Sequence, residues 1–128
     1  MSAEPASDPL VRLADRLGVA TAYWDWQQHH VRVPAPTLVA VLDALGVDAS
    51  DDDAVARAHR DLDDAPWRRT LPPTVVTRAG WTPWVAVHVP HGAGVALHVE
   101  LEGGGRRRVR QLDHWVEPRE VDGELVGE

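Results

Sequence analysis

The chain has 128 residues, 44% of them apolar, a formal net charge of -7 and no cysteine. That length suits one domain with a real core, or two very small ones; the acidity argues against nucleic acid or an anionic membrane as partner, and the missing thiols exclude disulfides and thiolate metal sites. No apolar run approaches the roughly 18 residues of a membrane span, and the acidic, proline-rich MSAEPASDP start has neither a basic nor an apolar leader segment, so a cytoplasmic protein is expected.

Residues 1–7 read as a disordered tail. Asp8 is a suitable N-cap, Pro9 suits the first helical position, and Leu10, Leu13, Ala14 and Leu17 share one face. This predicts a first helix over about 9–17, stopped by Gly18. The next stretch joins Tyr23, Trp24 and Trp26 to a Gln-Gln-His-His run and then to Val31 and Val33. It predicts a short turn or helical loop leading into an extended Val31–Val33, with Pro34 disfavouring helix before it. The three aromatic rings are expected to fill the space between helices.

Pro36 then stands near the first turn of a second helix, whose buried stripe is Leu38, Val41, Leu42 and Leu45 and whose stop is Gly46. Ser50 followed by Asp51, Asp52 and Asp53 begins a third, with acids suited to the positive end of the helix dipole. It runs through Ala54, Ala58 and Leu62 to Pro66, with a thin apolar face that places it on the surface. Three short helices make a helical subdomain over residues 8–66.

The pattern changes at Pro72-Pro73. Thr74–Ala79 reads as a strand, and Val85, Val87 and Val89 alternate with Trp84, Ala86 and His88. After a turn at Pro90–Gly94, the apolar phase resumes at Val95, Leu97, Val99 and Leu101. Pairing Val89 with Val95 makes one hairpin face wholly aliphatic. Gly103-Gly104-Gly105 is a second turn, leading to a strand over about 106–112, and Asp122-Gly123 is a third. The architecture expected is α+β: the helical subdomain followed by an antiparallel, immunoglobulin-like β-sandwich over 67–128. About five or six strands are visible where such a sandwich wants roughly seven, so it is expected to be truncated at the C-terminus.

No arrangement of chemically active residues stands out. His29-His30 are adjacent, and His88 and His98 fall on one outer face of the expected hairpin as solvated side chains. No spacing supplies the three or four converging ligands of a zinc site, so no metal and no cofactor are expected. The acids at Asp51–Asp53 and Asp61–Asp64 run along helix ends and exposed faces, not across a substrate, so no catalytic residue is expected in this chain. Arg106, Arg108 and Arg110 share one face of a strand guarded by charge. Trp81, Trp84 and Trp115 are the candidate sugar-stacking platform, against a reading in which each covers a core edge or an interdomain contact.

Three stretches carry a resemblance: GVATAYWDWQQHHVRVPAPTLVAVLDALGVDAS, then APWRRTLPPTVVTRAG, then VAVHVPHGAGVALHVELEGG. Together, over roughly residues 8–126, the chain resembles the N-terminal region of bacterial amylomaltases, 4-α-glucanotransferases of the MalQ type, and in particular their actinobacterial members. Gln28 stands where many relatives have glycine. The resemblance implies a helical part and a β-sandwich preceding a catalytic barrel in the same chain. It also implies retaining transfer of α-1,4-glucan segments to the 4-hydroxyl of an acceptor glucan, with a maltooligosaccharide or other α-1,4-glucan as substrate. The acids of that chemistry lie in the barrel, so this segment is expected to be inactive alone. Two other classes stay open: a free-standing carbohydrate-binding module using Trp84, and a protein-interaction domain using the Arg106–Arg110 strand.

Overall fold

The computed structural model describes residues 4–128. They divide into two compact units, one ending at Asp63 and the other spanning Asp64–Glu128.

The first unit opens with α1, Asp8–Arg16. The cap is Ser7, not Asp8: its Oγ accepts from the Leu10 amide at 3.4 Å. Of the tail expected over 1–7, residues 1–3 lie outside the described residues, and the Glu4 carbonyl accepts from the Ala35 amide at 3.1 Å. The helix ends in a Schellman motif. The Gly18 amide donates to the Asp15 carbonyl at 3.1 Å, and the Val19 amide to that of Ala14 at 2.9 Å. Helix α2, Ala35–Ala44, ends in the same way through Gly46 and Val47. Helix α3, Asp52–Asp64, is capped by Asp51, whose Oδ1 accepts from the Ala54 amide at 2.7 Å.

Leu10, Leu13, Ala14, Leu38, Leu42, Ala49, Val55 and Ala58 form one core, with Leu13, Leu38 and Leu42 fully buried. The two Schellman valines, Val19 and Val47, pack against it. The stripe expected on α2 is only half realised: Val41 is 39% exposed, and Leu45, the C-cap residue where the chain leaves the helix, is 57% exposed.

Between α1 and α2 the chain forms a hairpin, which the sequence pattern missed. Strands β1, Ala22–Trp24, and β2, His30–Arg32, pair antiparallel with Tyr23 opposite Val31 and Trp24 opposite His30. An Asx turn closes the loop: Asp25 Oδ1 accepts from the amides of Gln27 and His29, each at 2.8 Å. Gln28 takes φ 64°, the left-handed region that glycine adopts without strain. The aromatic rings do not fill the space between helices: on the hairpin strand Tyr23 is 54% and Trp24 70% exposed, and Trp26, in its turn, is 89% exposed.

In the second unit, β3, Val89–Pro90, pairs antiparallel with β7, Glu124–Gly127, which pairs in turn with β6, Arg119–Val121. β6 and β7 are joined by the expected Asp122-Gly123 turn. Both residues have positive φ, 52° and 84°, as a type I′ turn requires. Val121 and Val126 are buried on this sheet. A separate ribbon pairs β4, His98–Glu100, with β5, Arg106–Arg108, across the expected glycine turn.

The expected pairing of Val89 with Val95 does not form. The Pro90–Ala93 turn is closed by the Ala93 amide donating to the Pro90 carbonyl, and the His91 amide donates to Leu125, which commits β3 to β7 instead. Thr74–Ala79, following two prolines that cannot donate to a ladder, is not a strand. Helices and antiparallel sheets are thus present as expected, but sheets of three and two strands are smaller than an immunoglobulin-like sandwich. Among the described residues no helix is long and apolar enough to cross a membrane.

Candidate functional site

The three candidate tryptophans all lie in the second unit and are exposed: Trp81 by 71%, Trp84 by 70% and Trp115 by 77%. Two of them share a neighbourhood. The Trp84 indole meets the His114 imidazole edge to face, with ring centroids 5.9 Å apart and planes at 85°. His114 and Trp115, together with Gln111, Leu112 and Asp113, line a shallow cavity of about 420 Å³. Among the described residues no ring contact joins Trp81 to this group.

The cluster therefore has two exposed indoles, an imidazole that orients one of them, and an amide and a carboxylate at the rim. Flat apolar rings beside groups that donate and accept hydrogen bonds suit a ligand with apolar faces and hydroxyl edges. Nothing in it is poised for bond cleavage. Among the described residues no group of three or more His, Asp or Glu side chains is placed to hold a metal ion.

A second cavity, of about 360 Å³, lies over the three-stranded sheet and is lined by Trp67, Arg68, Thr70, His88 and Asp122 among others. His88 was expected on a solvated face and is instead 7% exposed, because β3 pairs with β7 and not with the following strand. Its ring lies 4.4 Å from that of Trp67, and its Nε2 is 3.3 Å from Glu128 Oε2. Arg68 grips Asp122 with two bonds, from Nε to Oδ2 at 2.7 Å and from Nη2 to Oδ1 at 3.0 Å. That guanidinium holds the Asp122 carboxyl below its ordinary range by hydrogen bonding and by charge, against a smaller opposing effect of desolvation. Arg119 reaches Asp64 at 2.6 Å. Asp122 lies 54 residues from Arg68 in sequence, and no local period connects the two. These contacts tie residues of the second unit together across the sequence. His98 is exposed as expected and sits 3.6 Å from Glu100, while Arg106, 3.0 Å from Glu100, is paired across the ribbon.

Comparison with known proteins adds three similarities. Residues 70–128 match the MalQ N-terminal beta sandwich domain. The 4-alpha-glucanotransferases of Mycobacterium bovis and Mycobacterium tuberculosis are 43% identical over 124 residues, which cover 93% of this chain and 17% of theirs. The crystal structure of amylomaltase from Corynebacterium glutamicum superposes with a TM-score of 0.86 at 42% identity, over 95% of this chain and 18% of that one. The chain thus spans less than a fifth of the length of the relatives it matches.

Proposed function

From the match of residues 70–128 to the MalQ N-terminal β-sandwich domain, we propose that this chain is the non-catalytic N-terminal region of a cytoplasmic 4-α-glucanotransferase. The observation that carries this reading is the match along nearly the whole chain to glucanotransferases and to one amylomaltase fold. The parent enzyme transfers α-1,4-glucan segments with retention. A barrel carboxylate attacks the anomeric carbon while a second carboxyl group protonates the departing glucan oxygen. That group then takes the proton of the acceptor 4-hydroxyl as its oxygen attacks the anomeric carbon of the glycosyl-enzyme ester and releases the barrel carboxylate. Both acids are assigned to the barrel; in this chain Asp25 closes a turn, Asp51 caps a helix and Asp122 is held in an ion pair.

The role of this region is to pack on the barrel of the same polypeptide, within an immunoglobulin-like sandwich larger than the sheets present here, and to add a glucan contact. Trp84 and Trp115, with Trp81 as an outlying third ring, are the residues proposed for that contact. Two measurements test the reading. The full-length gene product should disproportionate maltotriose while the 128-residue chain does not; a full-length product without that activity refutes the parent assignment. Maltooligosaccharide binding by the 128-residue chain should weaken at least tenfold in Trp84→Ala, and unchanged binding removes Trp84 from the contact. A free-standing carbohydrate-binding module is the second reading, favoured by the exposure of Trp84 and Trp115 beside a cavity. A native product of only 128 residues that still binds maltooligosaccharide would establish it.

A further inference from the structure

The β1–β2 hairpin of the first unit has an inner and an outer face. Tyr23 opposes Val31, and the alternation puts Val33, which packs against the helical core, on the same side. The other side carries Trp24 opposite His30 and Arg32 opposite Ala22, so an indole, an imidazole and a guanidinium share the outer face. The Trp24 and His30 rings lie 5.1 Å apart with planes at 60°, and Trp24, His30 and Arg32 are all exposed. Trp26 follows in the turn and is more exposed still. Two residues of chain can separate its Cα from that of Trp24 by at most about 7 Å, so one ligand of a few linked rings reaches both indoles.

The backbone beneath these rings is held firmly. Besides the two amides that Asp25 Oδ1 accepts, Asp25 Oδ2 lies 3.2 Å from His29 Nδ1, and the Asp25 amide donates to the His29 carbonyl at 3.0 Å. At the open end the Val33 amide donates to the Thr21 carbonyl at 2.9 Å, and the Thr21 hydroxyl donates to Asp15 of α1 at 3.1 Å. A loop bonded in this way presents its indoles with little ordering left to do on binding. Neither indole belongs to the core. A protein partner wants a contiguous apolar patch with charge kept to its rim. Here the indoles are interleaved with Gln27, Gln28, His29, His30 and Arg32, all of them exposed. Separate flat rings set among hydrogen-bonding groups suit a sugar, which has apolar ring faces and hydroxyl edges.

We propose that the outer face and turn of this hairpin form a glucan-binding site in the helical unit, additional to the Trp84 and Trp115 contact of the second unit. Trp24 and Trp26 stack on pyranose rings, while His30 and Arg32 bond to hydroxyl groups. The choice of an α-1,4-linked glucan rests on the parent assignment above; the stacking does not. Open on all sides, the hairpin is the weaker of the two contacts.

NMR titration of the isotope-labelled 128-residue chain with maltoheptaose tests this, because each of the six indole N–H groups gives its own signal. The Trp24 and Trp26 signals should shift together as the sugar rises to about 10 mM. Trp24→Ala should weaken the response of Trp26 at least tenfold, and Arg32→Ala several-fold, with the response of Trp84 and the circular dichroism at 222 nm unchanged in both. Trp24 and Trp26 signals that stay still while that of Trp84 moves overturn the hairpin site and leave the parent assignment standing. Stillness at all six indoles overturns the hairpin site as well, and activity of the full-length product on maltotriose then decides the parent assignment separately. An equal response to β-linked cellohexaose overturns the α-1,4-glucan as the ligand. Signals that move with protein concentration alone overturn the site in favour of a second copy.

Discussion

Leu42 and Leu45 lie three residues apart at the C-terminal end of α2, and the same deletion at each isolates the effect of burial. Leu42 is completely buried within the eight-residue core, whereas Leu45 is 57% exposed. Leu→Ala removes three carbons without penalising the helix, since both residues are strong helix formers. At Leu42 the lost transfer free energy, about 0.8 kcal/mol per carbon, comes to about 2.4 kcal/mol, and the cavity left behind brings the total to ~3–4 kcal/mol. At Leu45 the loss should stay below about 1 kcal/mol. A unit of about 60 residues has a total stability of only ~3–9 kcal/mol, so Leu42→Ala should remove a third of it or more. Urea unfolding followed by circular dichroism at 222 nm reads this unit, because all three helices begin within it. With a slope near 1 kcal/mol/M, the midpoint should fall by about 3 M for Leu42→Ala and by less than 1 M for Leu45→Ala. Equal shifts for the two variants, or a shift below 1 M for Leu42→Ala, would refute the placement of the core.

Replacing Gln28, held at φ 64°, by glycine should raise the same urea midpoint by about 0.5 M, relief of the left-handed conformation outweighing the extra entropy of glycine; a lower midpoint would show that the Asp25 turn relies on Gln28 for more than its backbone. Gly123→Ala should destabilise the second unit by about 1 kcal/mol through φ 84° of the type I′ turn, read by the fluorescence of Trp67 against His88, and an unchanged transition would mean that the turn is not formed in solution. Arg68 lowers the Asp122 carboxyl from its ordinary 3.8. Because the folded value is the lower one, the contribution of this pair is complete above the ordinary value and is lost as the pH falls through the lowered one. Carbon-detected NMR titration should find the Asp122 transition below 3.8 in the wild type and back in the ordinary range in Arg68→Gln; identical transitions would dissolve the pairing.

The helices were legible because their signals are local. Apolar spacing, a capping oxygen and a terminal glycine lie within about four residues of what they control, and α1, α2 and α3 all begin and end within one or two residues of expectation. The same locality found the glycine turn of the β4–β5 ribbon and the Asp122-Gly123 turn. It failed where partners are distant. Alternation at Val85–Val89 says that a strand has one apolar side but not which strand it joins, and the partner is the distant β7, not the neighbouring segment. His88 is buried for the same reason, its surroundings being set by distant residues and not by the alternation. The aromatic hairpin was missed for a different reason. Tyr-Trp-Asp-Trp has no alternation of polarity, and its turn is made by the Asp25 carboxylate and a left-handed Gln28, not by an Asn-Gly or Asp-Gly pair. At the candidate site, the exposure of the indoles follows from a segment with little regular structure, but the meeting of Trp84 with His114 crosses 30 residues and no spacing rule reaches it.

The pairing of β3 with β7 sets an order of events at the ribosome. Val89 must wait for Gly127, about 38 positions later, an interval of roughly 2–8 s at ordinary rates of synthesis. The helical core, by contrast, has its last member, Ala58, before the first residue of the second unit is made. During that interval the β4–β5 ribbon emerges with Val99 and Leu101 uncovered, the condition under which nascent chains stick to one another. Arg106, Arg107 and Arg108 lie along one of its two strands, where closely spaced cations repel a second nascent ribbon.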